Sequence, residues 1–181
     1  MSSVVISGDS SGSVSLTVPS VAGTNTATLP AATGTVMVSG NMPAFSAYQS
    51  TLQALSNATL TKIQFQTEEF DTNNNFDSTT NYRFTPTVAG YYQISSTVNI
   101  IGVAGNNYVA TIYKNGSEFK RGNQSANNTA NNTGLVVSAL IYLNGSTDYV
   151  EIYGYQGSGI SQNTANGIYY TFFQGVMVRA A

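Results

Sequence analysis

The chain contains no cysteine, no histidine and no tryptophan. Without cysteine there is no disulfide framework and no thiol chemistry. Without histidine the usual general base and the commonest metal ligand are missing, and neither a Ser-His-Asp nor a Cys-His site can be assembled. Charge is scarce as well. Asp, Glu, Lys and Arg make up 8% of the 181 residues, against about 25% in an ordinary soluble domain. Six basic and eight acidic side chains leave a net charge of -2. No basic stripe exists to hold phosphates, so nucleic acid is not an expected partner. No apolar run approaches the length of a membrane span, so no membrane insertion is expected. Met1-Ser2-Ser3-Val4 lacks the basic start and long apolar run of a secretory signal, which predicts synthesis in a cytoplasm.

What is present is apolar and aromatic residues set among Asn, Ser, Thr and Gly. Hydrophobic residues are 41% of the chain, enough for one core-bearing domain of ~140 residues and a short appendage. The stretch from Phe65 to Ser96 organises the rest. Aromatics recur at Phe65, Phe70, Phe76, Phe84 and Tyr92, separated by turn-formers such as Asp71, Asn73, Asn74, Asn75, Asp77 and Asn81. Buried rings alternating with tight turns predict a compact antiparallel β fold. From Tyr91 to Ile101 the pattern predicts one long strand.

Residues 1–42 read as a separate, almost uncharged module in which Asp9 is the one charged side chain. Val14, Leu16 and Val18 alternate with Ser13, Ser15 and Thr17, the pattern of a half-buried strand. Thr24 to Leu29 and Thr35 to Val38 are expected as further strands. Strands this short cannot bury enough apolar area alone. The segment is therefore expected to order against the main domain or against copies of itself about a three-fold axis. Residues 43–60 form a transition: a first strand at Pro43–Tyr48, then a loop with at most one helical turn.

Further strands are expected at Tyr108–Tyr113 and Ser117–Lys120, joined by Asn115-Gly116, a type I′ turn signal. Gly122 to Gly134 has no apolar anchor and reads as a long exposed loop. Leu135–Leu143 reads as a buried strand followed by a hairpin at Asn144-Gly145. Tyr149, Glu151, Tyr153 and Tyr155 alternate with Val150 and Ile152, and Gly154 to Gly167 reads as a polar glycine-rich loop. Ile168 to Val178 closes the domain. About ten short strands without a convincing helix imply an all-β sandwich or barrel. The strands at 91–101, 135–143 and 168–178 are apolar on both faces, so the second face needs a cover.

Catalytic chemistry has few candidates. Glu68, Glu69 and Asp71 cluster near one turn. A carboxylate pair could serve glycoside hydrolysis, or the cluster could hold Ca²⁺; a solvated turn with Asp71 capping backbone N–H groups accounts for it more simply. The expectation is a non-enzyme with no catalytic residues, no metal and no cofactor. Recognition through loops on a rigid β scaffold is the alternative. The candidate contact residues are Asn106, Asn107, Asn123, Gln124, Asn127, Asn128, Asn131, Asn132, Tyr155, Gln156, Gln162 and Asn163. Their amides suit sugar hydroxyls, and Tyr155 or Tyr169 could supply a ring face.

Two resemblances follow from these residues. The opening, with TLPAATGTV inside residues 5–40, resembles the short repeat at the start of phage and prophage tail-fibre proteins. Residues 43–181 resemble the globular head domain of complement C1q, a tumour necrosis factor-like jelly roll. Pro43-Ala44-Phe45-Ser46-Ala47 matches that family's opening. Phe65, Asp71, Phe76, Phe84, Gly90 and Tyr92 follow the order of its signature, and Phe173-Gln174-Gly175-Val176-Met177-Val178 resembles its closing strand. The resemblance implies a ten-strand jelly-roll sandwich packed as a homotrimer. Residues 1–42 would then be a β-rich attachment or trimerisation segment for other virion proteins, and residues 43–181 the jelly-roll domain. The function implied is a tail-fibre or fibre-tip adhesin on the virion surface, made in the host cytoplasm, that meets a host-surface glycan. The alternative is a structural decoration, cement or fibre-base protein without receptor binding.

Overall fold

A computed structural model describes residues 3–28, 31, 33–34, 36–102, 107–126 and 132–181, with the side chains of all of these except Ser3 and Ala126. It divides into two compact units, residues 1–34 and 35–181.

In the first unit, β1 (Ser3–Ser7) and β2 (Ser13–Thr17) form an antiparallel hairpin. The turn closes with the Gly8 N–H donating to the Gly12 carbonyl at 2.9 Å, and Gly12 takes the positive φ of 79° that glycine tolerates. Val4 pairs with Leu16 and Ile6 with Val14, which puts all four on one face. That face is open to solvent. The expected strands at 24–29 and 35–38 do not form: their described residues, 24–28 and 36–38, pair with no other strand. Alternation alone does not make a strand when no neighbouring ladder takes its N–H and C=O groups.

The second unit is a sandwich of two antiparallel sheets. One runs β12 (Asn132–Leu143), β9 (Gly90–Ile101), β15 (Phe172–Ala180), β3 (Ala44–Tyr48), β6 (Thr67–Asp71). The other runs β11 (Ser117–Ala126), β10 (Asn107–Lys114), β13 (Val150–Gln156), β8 (Arg83–Phe84), β7 (Phe76–Asp77), with β5 (Thr61–Lys62) also paired to β13. A small ladder joins β4 (Ala54–Leu55) to β14 (Gln162–Asn163). No α-helix is present among the described residues, so none is long and apolar enough to cross a membrane.

The core forms where alternate residues of the two sheets meet. Tyr92, Ile94, Val98 and Ile100 of β9 and Leu135, Val137, Ile141 and Leu143 of β12 face Tyr108, Ala110 and Ile112 of β10 and Val150 and Ile152 of β13. At its centre the Phe45 ring stacks on Phe84 at 4.3 Å and on Phe76 at 5.1 Å, and meets Phe173 edge-on at 4.9 Å. Gly175 leaves room for this. A Cβ there would stand 2.7 Å from Phe45 Cε1 and 2.6 Å from Ile94 Cδ1. Phe70 departs from the expected ring pattern and is exposed, because it lies on the edge strand β6 facing away from the core.

The turns explain the remaining departures. Asn115 and Gly116 have φ of 52° and 77°, as a type I′ turn requires. Asn144-Gly145 makes no hairpin. β12 and β13 belong to different sheets, and the Asn144 Oδ1 accepts from the N–H groups of Ser146, Thr147 and Asp148 at 2.9–3.0 Å, turning the chain across the sandwich. The expected loop at 122–134 is largely strand: β11 runs on to Ala126 and β12 begins at Asn132.

The second face of the five-stranded sheet is open, and apolar mainly along β12 and β15: against the expectation that strand 91–101 is apolar on both faces, the outward positions of β9 between Tyr91 and Ile101 are Gln93, Ser95, Thr97 and Asn99. Tyr91, Val136, Leu140, Tyr142, Val176 and Val178 are exposed there. Replacing Phe45 with Ala should lower stability by about 3–5 kcal/mol, read as a shift in urea midpoint at unchanged slope. Gly175→Ala should cost about 1–3 kcal/mol through overpacking.

Candidate functional site

Antiparallel pairing sends five strand ends to one end of the sandwich. Ile101 pairs with Asn132, Asn107 with Ala126, and Tyr108 with Gln156. Thr164 bridges Ile100. The opposite end holds Gly90, the Asn115-Gly116 turn and Ala181, whose N–H donates to Ala89 O at 3.1 Å.

The sequence-predicted contact residues separate into groups. Asn106, Asn127, Asn128 and Asn131 lie outside the described residues. Asn107, Asn132 and Gln124 are exposed near the gathered strand ends. Asn123 holds the edge of the sandwich, its Oδ1 accepting the Val136 N–H at 2.6 Å. Gln162 and Asn163 lie in β14 against β4. Gln156 is corrected: it is fully buried, its Nε2 donating to Leu55 O at 3.0 Å and Ile160 O at 2.8 Å, while its Oε1 accepts from the Ser158 N–H at 2.9 Å. An inward-facing position in β13 puts its amide to work as a brace. Gln49, Gln53 and Thr164 extend that brace through buried hydrogen bonds, including one from the Thr164 hydroxyl to Gln49 Oε1.

A groove of about 340 Å³ opens on the outer face of the six-stranded sheet. Leu60, Asn107, Val109, Arg121, Gln124 and Tyr155 line it. Val109 pairs with Gln124 on one side and Tyr155 on the other, so the three form a cross-strand row. Arg121 is held in place by Glu118: its Nε and Nη2 donate to the two carboxylate oxygens at 2.7 and 2.9 Å. These hydrogen bonds, with the charge of Arg121, hold the Glu118 carboxyl below the usual carboxylate range. Below the groove the same face carries Tyr113 stacked on Tyr153 at 4.0 Å, the Lys62–Glu151 ion pair at 2.7 Å, and Arg83 over the Tyr149 ring at 4.2 Å. Burial raises the hydroxyl pKa of both Tyr113 and Tyr153.

Arg121, Val109 and Leu60 were not foreseen, because the returning strand was expected to end at Lys120. No sequence signal pointed to Arg121: residues three apart in a regular strand face opposite sides, and Glu118 and Arg121 share a face because the register shifts between Ile112 and Tyr113. Tyr169 is 86% exposed and takes no part in the groove.

The acidic cluster lies on β6, not in a turn, and Asp71 at its end caps the turn that follows. Asp71 accepts from the N–H groups of Asn73 at 3.2 Å and Phe76 at 2.6 Å. Glu68 accepts from Ser78 Oγ and Glu69 from Ser46 Oγ. Nearby Asp77 accepts five hydrogen bonds from residues 79–81, which hold its carboxyl far below the usual range. Among the described residues no group of acidic side chains is placed to hold a metal ion.

The folded pKa of Glu118 lies below its unfolded value. The pair therefore stabilises the fold at neutral pH and loses its contribution as pH falls through that lowered value. Arg121→Gln should return the Glu118 carboxyl to the ordinary carboxylate range in a carbon-13 NMR titration. The accompanying loss of stability should be small, since the pair is solvent-exposed.

The sequence matches no protein-family profile and no curated protein. The fold does match solved structures. The globular domain of zebrafish complement 1qA protein superposes with a TM-score of 0.58 at 17% identity, over 77% of this chain and 98% of that one. Eiger TNF from S. frugiperda gives 0.57 at 10% identity, over 78% and 95%. Vertex protein P5 of the phage PRD1 gives 0.55 at 17% identity, over 76% and 97%. With two facing antiparallel sheets and these likenesses, the chain carries the C1q/tumour necrosis factor-like jelly-roll fold.

Proposed function

We propose that the protein is a homotrimeric phage virion-surface protein, at a tail fibre or fibre tip, whose jelly roll meets a host-surface glycan. The observation that carries this reading is the polarity of the sandwich. The chain enters at Ala44, whose partner Val176 lies toward the Gly90 end. The gathered strand ends with their exposed amides lie at the other end. A head fed from one end and presenting Asn107, Gln124 and Asn132 near the other suits a fibre extremity.

Three further features support the reading. The open apolar face of the five-stranded sheet, with Tyr91, Val136, Leu140 and Tyr142, supplies what a three-fold interface would cover. The hairpin face of Val4, Ile6, Val14 and Leu16 supplies apolar area with which residues 1–42 would attach to other virion proteins. The likeness to a phage vertex protein supports a virion position. The reading includes no catalysis: Glu68, Glu69, Asp71 and Asp77 are taken up in hydrogen bonds.

The same vertex-protein likeness favours a second reading, a structural decoration, cement or fibre-base protein that binds the particle alone. Light scattering should give a mass three times the 19.1 kDa chain. Leu140→Glu should yield a folded monomer, because the side chain is exposed within one chain and would be buried between three. A monomeric wild type at micromolar concentration would sink the trimer. Purified protein should bind host cells and block particle adsorption. Tight binding to particles with none to cells would select the structural reading.

A further inference from the structure

We infer that the groove on the outer face of the six-stranded sheet binds one or two rings of a neutral saccharide. This rests on the adhesin reading for its biological setting, but it concerns strand residues and not the loop tips.

Three properties of the groove point to that ligand. The first is shape. Neighbouring strands lie ~4.8 Å apart, so Gln124 and Tyr155 stand ~10 Å apart astride Val109. That span admits a pyranose ring with its hydroxyls, and the volume of about 340 Å³ leaves room for a second ring. The second is the pairing of surfaces. Tyr155, half-buried, and Leu60 offer apolar walls over a Val109 floor that is only 4% exposed. Asn107 and Gln124 bring one amide each, and neither side chain hydrogen-bonds within the described residues. A sugar presents the same combination, an apolar C–H face with a rim of hydroxyls that both donate and accept.

The third property is charge. Among the described residues Arg121 is the one cation lining the groove, and Glu118 occupies its guanidinium fork with two hydrogen bonds. The pair brings no net charge, and its carboxylate would repel an anionic sugar. An acidic saccharide would have to displace Glu118 to reach Arg121. A neutral one can accept from the guanidinium N–H groups left over and leave the pair intact.

The position agrees with the proposed assembly. The groove lies on the sheet facing away from the open apolar face, so a trimer closed through that face keeps three grooves exposed. Weak binding at each would gain through multivalency.

The test uses the full-length protein and saturation-transfer NMR. The probes are neutral glucose-, galactose- and mannose-based oligosaccharides, with a sialylated and a uronate-containing oligosaccharide for contrast. At least one neutral series should bind and the acidic probes should not. Tyr155→Ala should weaken binding about tenfold, Tyr155→Phe should retain most of it, and Gln124→Ala, an exposed change that spares the core, should weaken it severalfold. Circular dichroism melts establish that each variant is folded. Binding of acidic probes alone, binding of none, or binding unchanged in both Tyr155→Ala and Gln124→Ala would overturn the inference. Host-cell binding that persists in these variants would overturn the groove and leave the adhesin standing. Saccharide binding without cell binding would leave the groove and remove the adhesin.

Discussion

The sandwich depends on the packing of one ring. Phe45 lies on β3 of one sheet and stacks on Phe76 and Phe84 of the other, while Phe173 meets it edge-on from its neighbour in β15. Phe84 passes the contact on to Tyr92, whose hydroxyl donates to Val88 O at 2.7 Å. Burial pushes that hydroxyl's pKa up to about 12, so it remains a donor throughout the range in which the protein folds. Five rings from five strands, β3, β7, β8, β9 and β15, thus fix the distance between the sheets. The small β7–β8 ladder is placed by its rings, since two residues per strand make too little ladder to hold themselves.

Once the sheets are set, antiparallel pairing divides the surface into regions with different work. The face beyond β12, β9 and β15 is open, apolar mainly along β12 and β15 and polar along the middle of β9. The face beyond β10, β11 and β13 is aromatic and polar, with its charges neutralised in pairs. One end receives the chain and the other gathers strand ends. Because strands alternate their side chains, a change on one face leaves the other intact.

Much of this was legible in the sequence. The aromatic spacing from Phe65 to Tyr92, Phe70 apart, located the core, and Asn115-Gly116 marked its turn, whereas strand 91–101, read as apolar on both faces, turns Gln93, Ser95, Thr97 and Asn99 outward. What was not legible depended on partners far away in the chain. Residues 24–28 alternate well enough for a strand and find no ladder. Residues 122–126 look like loop, yet they pair with β10 because Gly122 permits close approach to the Val136 carbonyl. Asn144-Gly145 carries a hairpin signal, but Asn144 turns the chain into the other sheet. Gln156 reads as a polar surface residue and lies fully buried, since inward and outward positions differ by one step in register. The groove was half visible for the same reason. Asn107, Gln124 and Tyr155 could be named from composition, whereas Arg121 and Val109 join them only through the pairing of β10 with β11.

The acidic run of Glu68, Glu69 and Asp71 on β6 has a consequence apart from ligands. β6 is the outermost strand of its sheet, with its far edge unpaired. A chain rich in Asn and Thr, held at high local concentration, is at risk of adding strands edge to edge without limit. Two adjacent carboxylates on that strand, together with the register shift opposite Ser46 and Ala47, make the edge a poor template for another copy. The acidic residues thus act as gatekeepers: they favour an assembly that closes through the flat face over one that grows from the rim.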